Sequence, residues 1–440
     1  MKDSLAKAGL GVNMGATDEQ GLPLSTNSDV EPLWRDFRHR VDRFLSGVPE
    51  ALAAVTEADP DFAVGRAAAA LMSATDGLSG FDTGEEHRAA LEGRANSNWE
   101  RSYVQAVDDE IERGRWKALE TWRAHHDSFP DDMLALHHLI PTLELSAEDG
   151  HGDETERRVR QTLHAVGEEA TLLGQLGMGA IERLDLGEAE RLGQRSLELE
   201  PHGLVGGHPI AHVRFESGEH AEGALWLQSW LPTTDSAALF HQHLAWHAGL
   251  HELAMGNREA VLARLEGFGS TEGPFARVTQ GGPLLWRCQL HGLLPKGSDP
   301  IEPSISELAT PLVDNPFAVA VGYHVAVALA TVNDADGLRR LAENSRQSDG
   351  PGVAEIVPGI AGGFAAFVEG DHATASDLLL AAESHHGRLG GSLAQREVIE
   401  DTLIEALIRA DRDELAIERL ERRLGRRPSR FDEAALARAS

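Results

Sequence analysis

From Val30 onward the polar and apolar positions read as helix, short break, helix. The strict alternation of β-branched residues that marks strands is almost absent. Short breaks recur at Gly47, Asp59-Pro60, Gly114, Pro130, Gly150, Pro201, Gly218, Pro232, Gly256, Gly370 and Pro428. Residues 1–27 contain Gly, Ser and Asp without helical period and read as an irregular lead-in. Helical repeats are expected over 28–266 and again over 315–430, with a tail at 431–440. Between them, 267–314 is the least regular stretch, with Gly281-Gly282-Pro283 and prolines from Pro295 to Pro303. It reads as an inserted loop or a join between two helical halves.

Several breaks share one internal phase. Ala118 precedes Pro130 by twelve residues, Ala189 precedes Pro201 by twelve, and Ala416 precedes Pro428 by twelve. A small residue lets two helices approach, and a proline stops the second before the next unit begins. That spacing is similar to the second helix of a tetratricopeptide repeat. Gly370 to Ala375 and Gly218 to Gly223 repeat the offset from turn to small residue. The expectation is an all-α fold, an α-solenoid of degenerate tetratricopeptide-like antiparallel helix pairs. The alternative is an irregular all-α domain.

Composition supports helices and narrows the partners. At 440 residues the chain exceeds the usual single core, so several domains or a repeat array is expected. Hydrophobic residues make up 41% and charged residues 25%, as in soluble proteins. The net charge of −31 repels phosphate backbones and anionic lipid, so neither nucleic acid nor membrane is expected as a partner. The one cysteine, Cys288, excludes a disulfide framework and a cysteine-based zinc site; it reads as a buried thiol. No window reaches the roughly 18 apolar residues of a membrane span, and the N-terminus lacks a cleavable signal, so a cytoplasmic location is expected.

The chemistry concentrates between His208 and Leu253. His208, His212 and Glu216 fall at i, i+4 and i+8, and His243, His247 and His251 repeat the spacing. Residues four apart share a helix face. Two adjacent helices of a hairpin can thus present up to five imidazoles and one carboxylate to each other. Three readings are open. A divalent metal is one; because i to i+8 rises about 12 Å, a site needs a pair from each helix, most compactly His212, Glu216, His243 and His247. General acid–base chemistry is another, with His212 or His247 oriented by Glu216. The third is helix bridging by buried imidazoles. His208 precedes a proline and can serve a helix start, and His251 can lie exposed. Trp226, Trp230 and Trp246 read as core. The adjacent pairs His125-His126, His137-His138 and His385-His386 cannot share a helical face and are assigned no function. No phosphate-cradling glycine loop and no G-x-S-x-G elbow is present.

Four stretches carry a family resemblance. G-L-P-L-S-T-N-S at Gly21–Ser28 resembles an N-terminal L-S-T segment of the tetratricopeptide repeat protein 38 family, which has bacterial and animal members. H-P-I-A-H-V-R-F-E-S-G resembles its H-A-V-A-H-V-x-x-E-x-G motif, and H-L-A-W-H-A-G-L-H-E-L-A-M-G-N its H-x-x-W-H-x-A-L-x-x-L-x-x-G-D motif. G-G-S-L-A-Q-R-E-V at Gly390–Val398 resembles its G-G-S-H-A-Q-R-D-V. The resemblance spans about residues 21–430 and places His208, His212, Glu216, His243, Trp246, His247, Ser392, Gln395 and Arg396 at motif positions. His324 resembles a further family histidine. Leu393 and Glu397 stand where the family has His and Asp. The resemblance implies the fold and not a reaction. The expected function is a small-molecule site: His212, Glu216 and His247 in a catalytic role, and His208, His243, Trp246, His324, Ser392, Gln395 and Arg396 holding the ligand. Arg396 would clamp a carboxylate or phosphate. The alternative is a scaffold binding a peptide or partner protein in its groove, for which the sequence lacks a ladder of Asn, Lys or Arg from repeat to repeat.

Overall fold

The computed structural model describes residues 17–76, 79–269 and 277–440. Among these the protein is 75% helical, with 23 α-helices and no strands. Residues 1–16 of the expected lead-in and 270–276 of the expected join lie outside the described residues.

The proline-phased pairs are built as their spacing predicts. Helix α6 (Arg115–Ser128) follows α5 (Asn98–Arg113), and α10 (Leu186–Leu199) follows α9 (Ala170–Glu182). Near the C-terminus α22 (Asp413–Arg426) follows α21 (Leu393–Arg409). Each second helix stops two residues before its proline. Phe129, Glu200 and Arg427, which precede the prolines, leave the helical region with φ of −133°, −139° and −150°. A proline disfavours helical backbone in the residue before it, so the stop is local in origin. Ala118, Ala189, Ala375 and Ala416 are all completely buried at helix contacts. The fold is therefore all-α, of tetratricopeptide-like helix pairs.

Two compact units divide the chain. Residues 1–142 with 158–168 form the first, and 143–157 with 169–440 the second. In the first, α1 (Glu31–Asp42), α2 (Val48–Ala58), α3 (Ala63–Asp76) and α4 (Thr83–Glu92) precede α5 and α6. Helices α7 (Met133–Leu145) and α8 (His151–Val166) give residues to both units. The core of the first unit is aromatic: Trp34 meets Phe62 edge to face at 5.2 Å, and Tyr103 meets Trp122 at 5.6 Å. Buried polar groups join its helices. Asp132 accepts from Trp99 Nε1 at 2.6 Å and lies 3.0 Å from His125 Nε2, and His126 Nε2 lies 2.9 Å from Thr162 Oγ1. His125 and His126 thus bridge helices.

In the second unit α11 (Leu204–Glu216) packs on the α9–α10 hairpin, and α12 (His220–Trp230) and α13 (Leu239–Ala254) follow it. Helix α14 (Arg258–Gly269) comes next. The stretch 267–314 holds more helix than its glycines and prolines suggest. A π-turn at Arg277–Gly281 leads into α15 (Gly282–Leu290), and α16 (Ile305–Asp314) closes the stretch. Pro283 sits in the first turn of α15, where a missing N–H costs nothing, so a Gly-Gly-Pro run marks a helix start here. Then come α17 (Val319–Thr331), α18 (Ala335–Ser345), α19 (Val353–Glu369) and α20 (His372–Ala382), before α21 and α22. Residues 431–440 continue α23 (Arg430–Ala439), whose start is capped by Ser429 accepting from the Asp432 N–H.

Candidate functional site

Glycines seat the helix that carries the first histidine pair. A Cβ on Gly174 of α9 would stand 2.5 Å from the Val205 carbonyl oxygen, and one on Gly177 would stand 2.9 Å from Pro209. On α10, a Cβ on Gly193 would meet Ile210 at 2.9 Å. Approach this close needs a residue without a Cβ, and at Gly174 the neighbour is backbone that cannot give way. Twelve of the thirteen residues of α11 are consequently buried, His208, His212 and Glu216 among them. His208 does not open its helix; it lies one turn inside, because α11 already begins at Leu204. The facing helix α13 buries His243, Trp246, His247 and His251. His251 is not exposed: its ring fills the space left by Gly223 of α12.

Four imidazoles converge. Ring centroids lie 4.3 Å apart for His212 and His247, 4.8 Å for His208 and His212, and 4.7 Å for His208 and His243. The Nε2 of His208 is 3.1 Å from that of His212 and 2.9 Å from that of His243. His212 and His247 have 0% exposure, and His208 and His243 have 8% and 7%. Phe240 and Trp246 stack on His243 at 5.3 and 5.4 Å. Burial first, and then the neighbouring imidazoles, hold His208, His212 and His247 well below the usual histidine range. Burial holds His243 down to about 4. All four rings are neutral near pH 7, with lone pairs available. His247 has no hydrogen-bond partner on either nitrogen, and His212 has none on Nδ1.

The remaining sequence-selected residues divide around this cluster. Glu216 stays out of it. Its Oε2 takes Arg427 at 3.0 Å and Arg426 at 3.1 Å, and burial raises its pKa against the pull of Arg427. No carboxylate therefore orients His212 or His247 as the spacing suggested. His324, on α17, donates from Nδ1 to the Ala320 carbonyl at 2.6 Å and stacks on Tyr323. Its positive form would act on His243, which puts it near the cluster. Ser392 is the N-cap of α21, and Gln395 accepts its N–H at 2.9 Å, so this pair starts a helix. Arg396 bonds to Glu182 and to the Gly391 carbonyl, and its charge reaches His212. Trp226 and Trp230 stack on each other at 5.0 Å and pack on the α11–α13 core. Cys288 is buried, and burial pushes its thiol up to about 12, as suits an inert core residue.

Sequence reasoning did not find the acid–base network beside the cluster. Arg427 pairs with Glu397 at 2.6 Å as well as with Glu216, and Arg423 pairs with Asp401 at 2.8 Å. A cavity of about 50 Å³ lies among Phe215, His220, His291, Asp401, Arg423 and Arg427. The partners stand 211 and 30 residues apart in sequence, so no local pattern signals the pairing.

No protein-family model matches the chain. The chain is similar to the crystal structure of yeast Tom70, with 16% identity over 92% of this chain and 87% of that one, and a TM-score of 0.37. At that level the likeness says nothing about function, and the fold is established by the helices themselves. No helix among the described residues is long and apolar enough to cross a membrane.

Proposed function

We propose that this chain is a helical-repeat protein of the tetratricopeptide repeat protein 38 family that binds a small ligand at the imidazole cluster of α11 and α13. The observation that carries this is His247, which is fully buried with both ring nitrogens unpartnered among three other imidazoles. His125 and His126, which bridge helices in the first unit, have partners on both ring nitrogens. An unmade buried hydrogen bond costs about 1–3 kcal/mol, so a group that takes the lone pair offsets a real penalty. Family membership is supported by where the motifs fall. Both histidine motifs lie on packed helices, and the third supplies Arg396, whose charge acts on His212. Any proton transfer at this site would be carried by His212 or His247 without a carboxylate orienter. We place the protein in the cytoplasm.

Mass spectrometry under native and denaturing conditions tests the ligand. The wild-type chain should carry a non-covalent adduct that His247→Ala loses while its circular dichroism is unchanged. A bare native mass, together with a destabilised His247→Ala, would return the cluster to a helix-bridging role. A partner-binding scaffold would then be the better reading. In its favour are Leu225 and Leu239, 65% and 70% exposed on α12 and α13, as apolar groups a protein partner could cover.

A further inference from the structure

His208, His212 and His247 each bring one ring nitrogen within 4.8 Å of the other two, and all three are buried. Hydrogen bonding does not account for the trio. A neutral imidazole has one donor and one acceptor. Yet the Nε2 of His208 faces two other Nε2 atoms, at 3.1 and 2.9 Å, while His247 makes no hydrogen bond. Ring nitrogens of three buried imidazoles gathered this closely are a donor set that a cation can use. Imidazole–metal bonds of about 2.0–2.1 Å in a tetrahedral site put ligand nitrogens about 3.3 Å apart. The His208–His212 separation of 3.1 Å is already close to that value. His247, with its ring centroid 4.3 Å from that of His212, has a ring nitrogen within 4.8 Å of both.

We propose that His208, His212 and His247 bind one divalent transition-metal ion of the zinc class, with His243 placed to supply a fourth nitrogen. This rests on the ligand-binding reading above and names the ligand. The donor set decides the class. Neutral imidazoles suit zinc, cobalt, nickel, copper and ferrous iron, whereas magnesium and calcium take oxygen ligands. Glu216, the carboxylate in helical phase with His208 and His212, does not compete, because it is held by Arg426 and Arg427. His208 and His212 come from successive turns of α11, one and two turns inside its start, and His247 comes from the middle of α13. The ion would therefore tie α13 to α11, the helix that the glycine contacts of α9 and α10 seat. The net charge of −31 favours cation entry. A second grouping, His87, Asp108 and Glu112, lies at the surface of the first unit, where His87 already pairs with Asp108 at 2.9 Å, and it carries no site.

The test uses tag-free full-length protein stripped with a chelator and titrated with Co²⁺ and then Zn²⁺. The expected result is one equivalent of Co²⁺ with visible d–d bands of four- or five-coordinate cobalt, displaced by Zn²⁺, and a higher melting temperature with either ion. His212→Ala and His247→Ala should each weaken binding by more than about 100-fold, since even second-shell losses cost 10–100-fold. His247→Gln keeps a polar side chain of similar reach and should show the same loss if the alanine variant fails to fold. Glu216→Gln should bind within a few-fold of wild type. Wild-type protein that gives neither cobalt bands nor a melting shift overturns the metal. If the native-mass adduct of the previous section is then organic, ligand binding stands and the metal falls; if there is no adduct, both fall.

Discussion

Glu216 keeps the helical phase of His208 and His212, but its carboxylate engages Arg426 and Arg427 and not an imidazole. Spacing on one helix fixes the face a side chain occupies, and the partner is chosen by whatever packs there. Here that is the end of α22, more than two hundred residues away, which no local pattern can report. Glu216→Gln should therefore behave as a stability mutation. It leaves Arg427 with Glu397 as its carboxylate partner and should cost about 1–3 kcal/mol in chemical denaturation. An unchanged midpoint would mean that the ion pair contributes nothing. The imidazoles were legible for the opposite reason: each i, i+4 pair shares one helix face, although the two helices meet across the intervening α12 and are not the arms of one hairpin as the spacing suggested. The orphaned state of His247 was not legible, because it depends on what surrounds the ring on every side.

At the scale of helices, the fold was readable where a stop signal acts locally. The twelve-residue spacing from alanine to proline located the ends of α6, α10 and α22, since proline restricts its own neighbour whatever the tertiary context. It was less readable where the same residues begin helices, as at Pro283 in α15 and Ser429 before α23. Close helix approach was only partly visible: glycines at 174, 177 and 193 signal packing but not the partner. The structure names it as α11. Gly174→Ala would put a methyl group 2.5 Å from the Val205 carbonyl oxygen, and a backbone atom cannot swing aside. A loss of about 1–3 kcal/mol is expected, the usual cost of overpacking. Because Val205 lies one turn before His208, the variant should also loosen the histidine cluster, read as weaker Co²⁺ binding. A variant with wild-type stability and binding would show that α9 does not set the position of α11.

Across the whole molecule, two opposing responses to acid can be separated. With a net charge of −31, acidification from neutral pH relieves self-repulsion, which by itself would stabilise the fold. Buried neutral histidines act the other way, and both units contain them. Burial holds His126 of the first unit, and His291 and His324 of the second, to about 4, and His251 to about 3. Below about 6.5 the unfolded chain binds protons at these positions and the folded chain does not, so stability falls as pH falls. The window runs from about 6.5 down to the folded values near 4. Each such group contributes on the order of 3 kcal/mol when the window is crossed completely, and several together match the 5–15 kcal/mol that holds a typical domain. Asp132 adds to the same slope at lower pH. Burial opposes its ionisation, but His125, Arg38 and Trp99 prevail and bring it to about 2, so its contribution is lost only below about 3.8. Buried histidine should therefore outweigh relief of repulsion. Denaturant midpoints of metal-free protein should drop steadily from pH 6.5, with unfolding complete before about pH 4. A midpoint that rises between pH 7 and 5 would show that net charge governs the stability of the molecule and that the buried imidazoles gain protons without unfolding it.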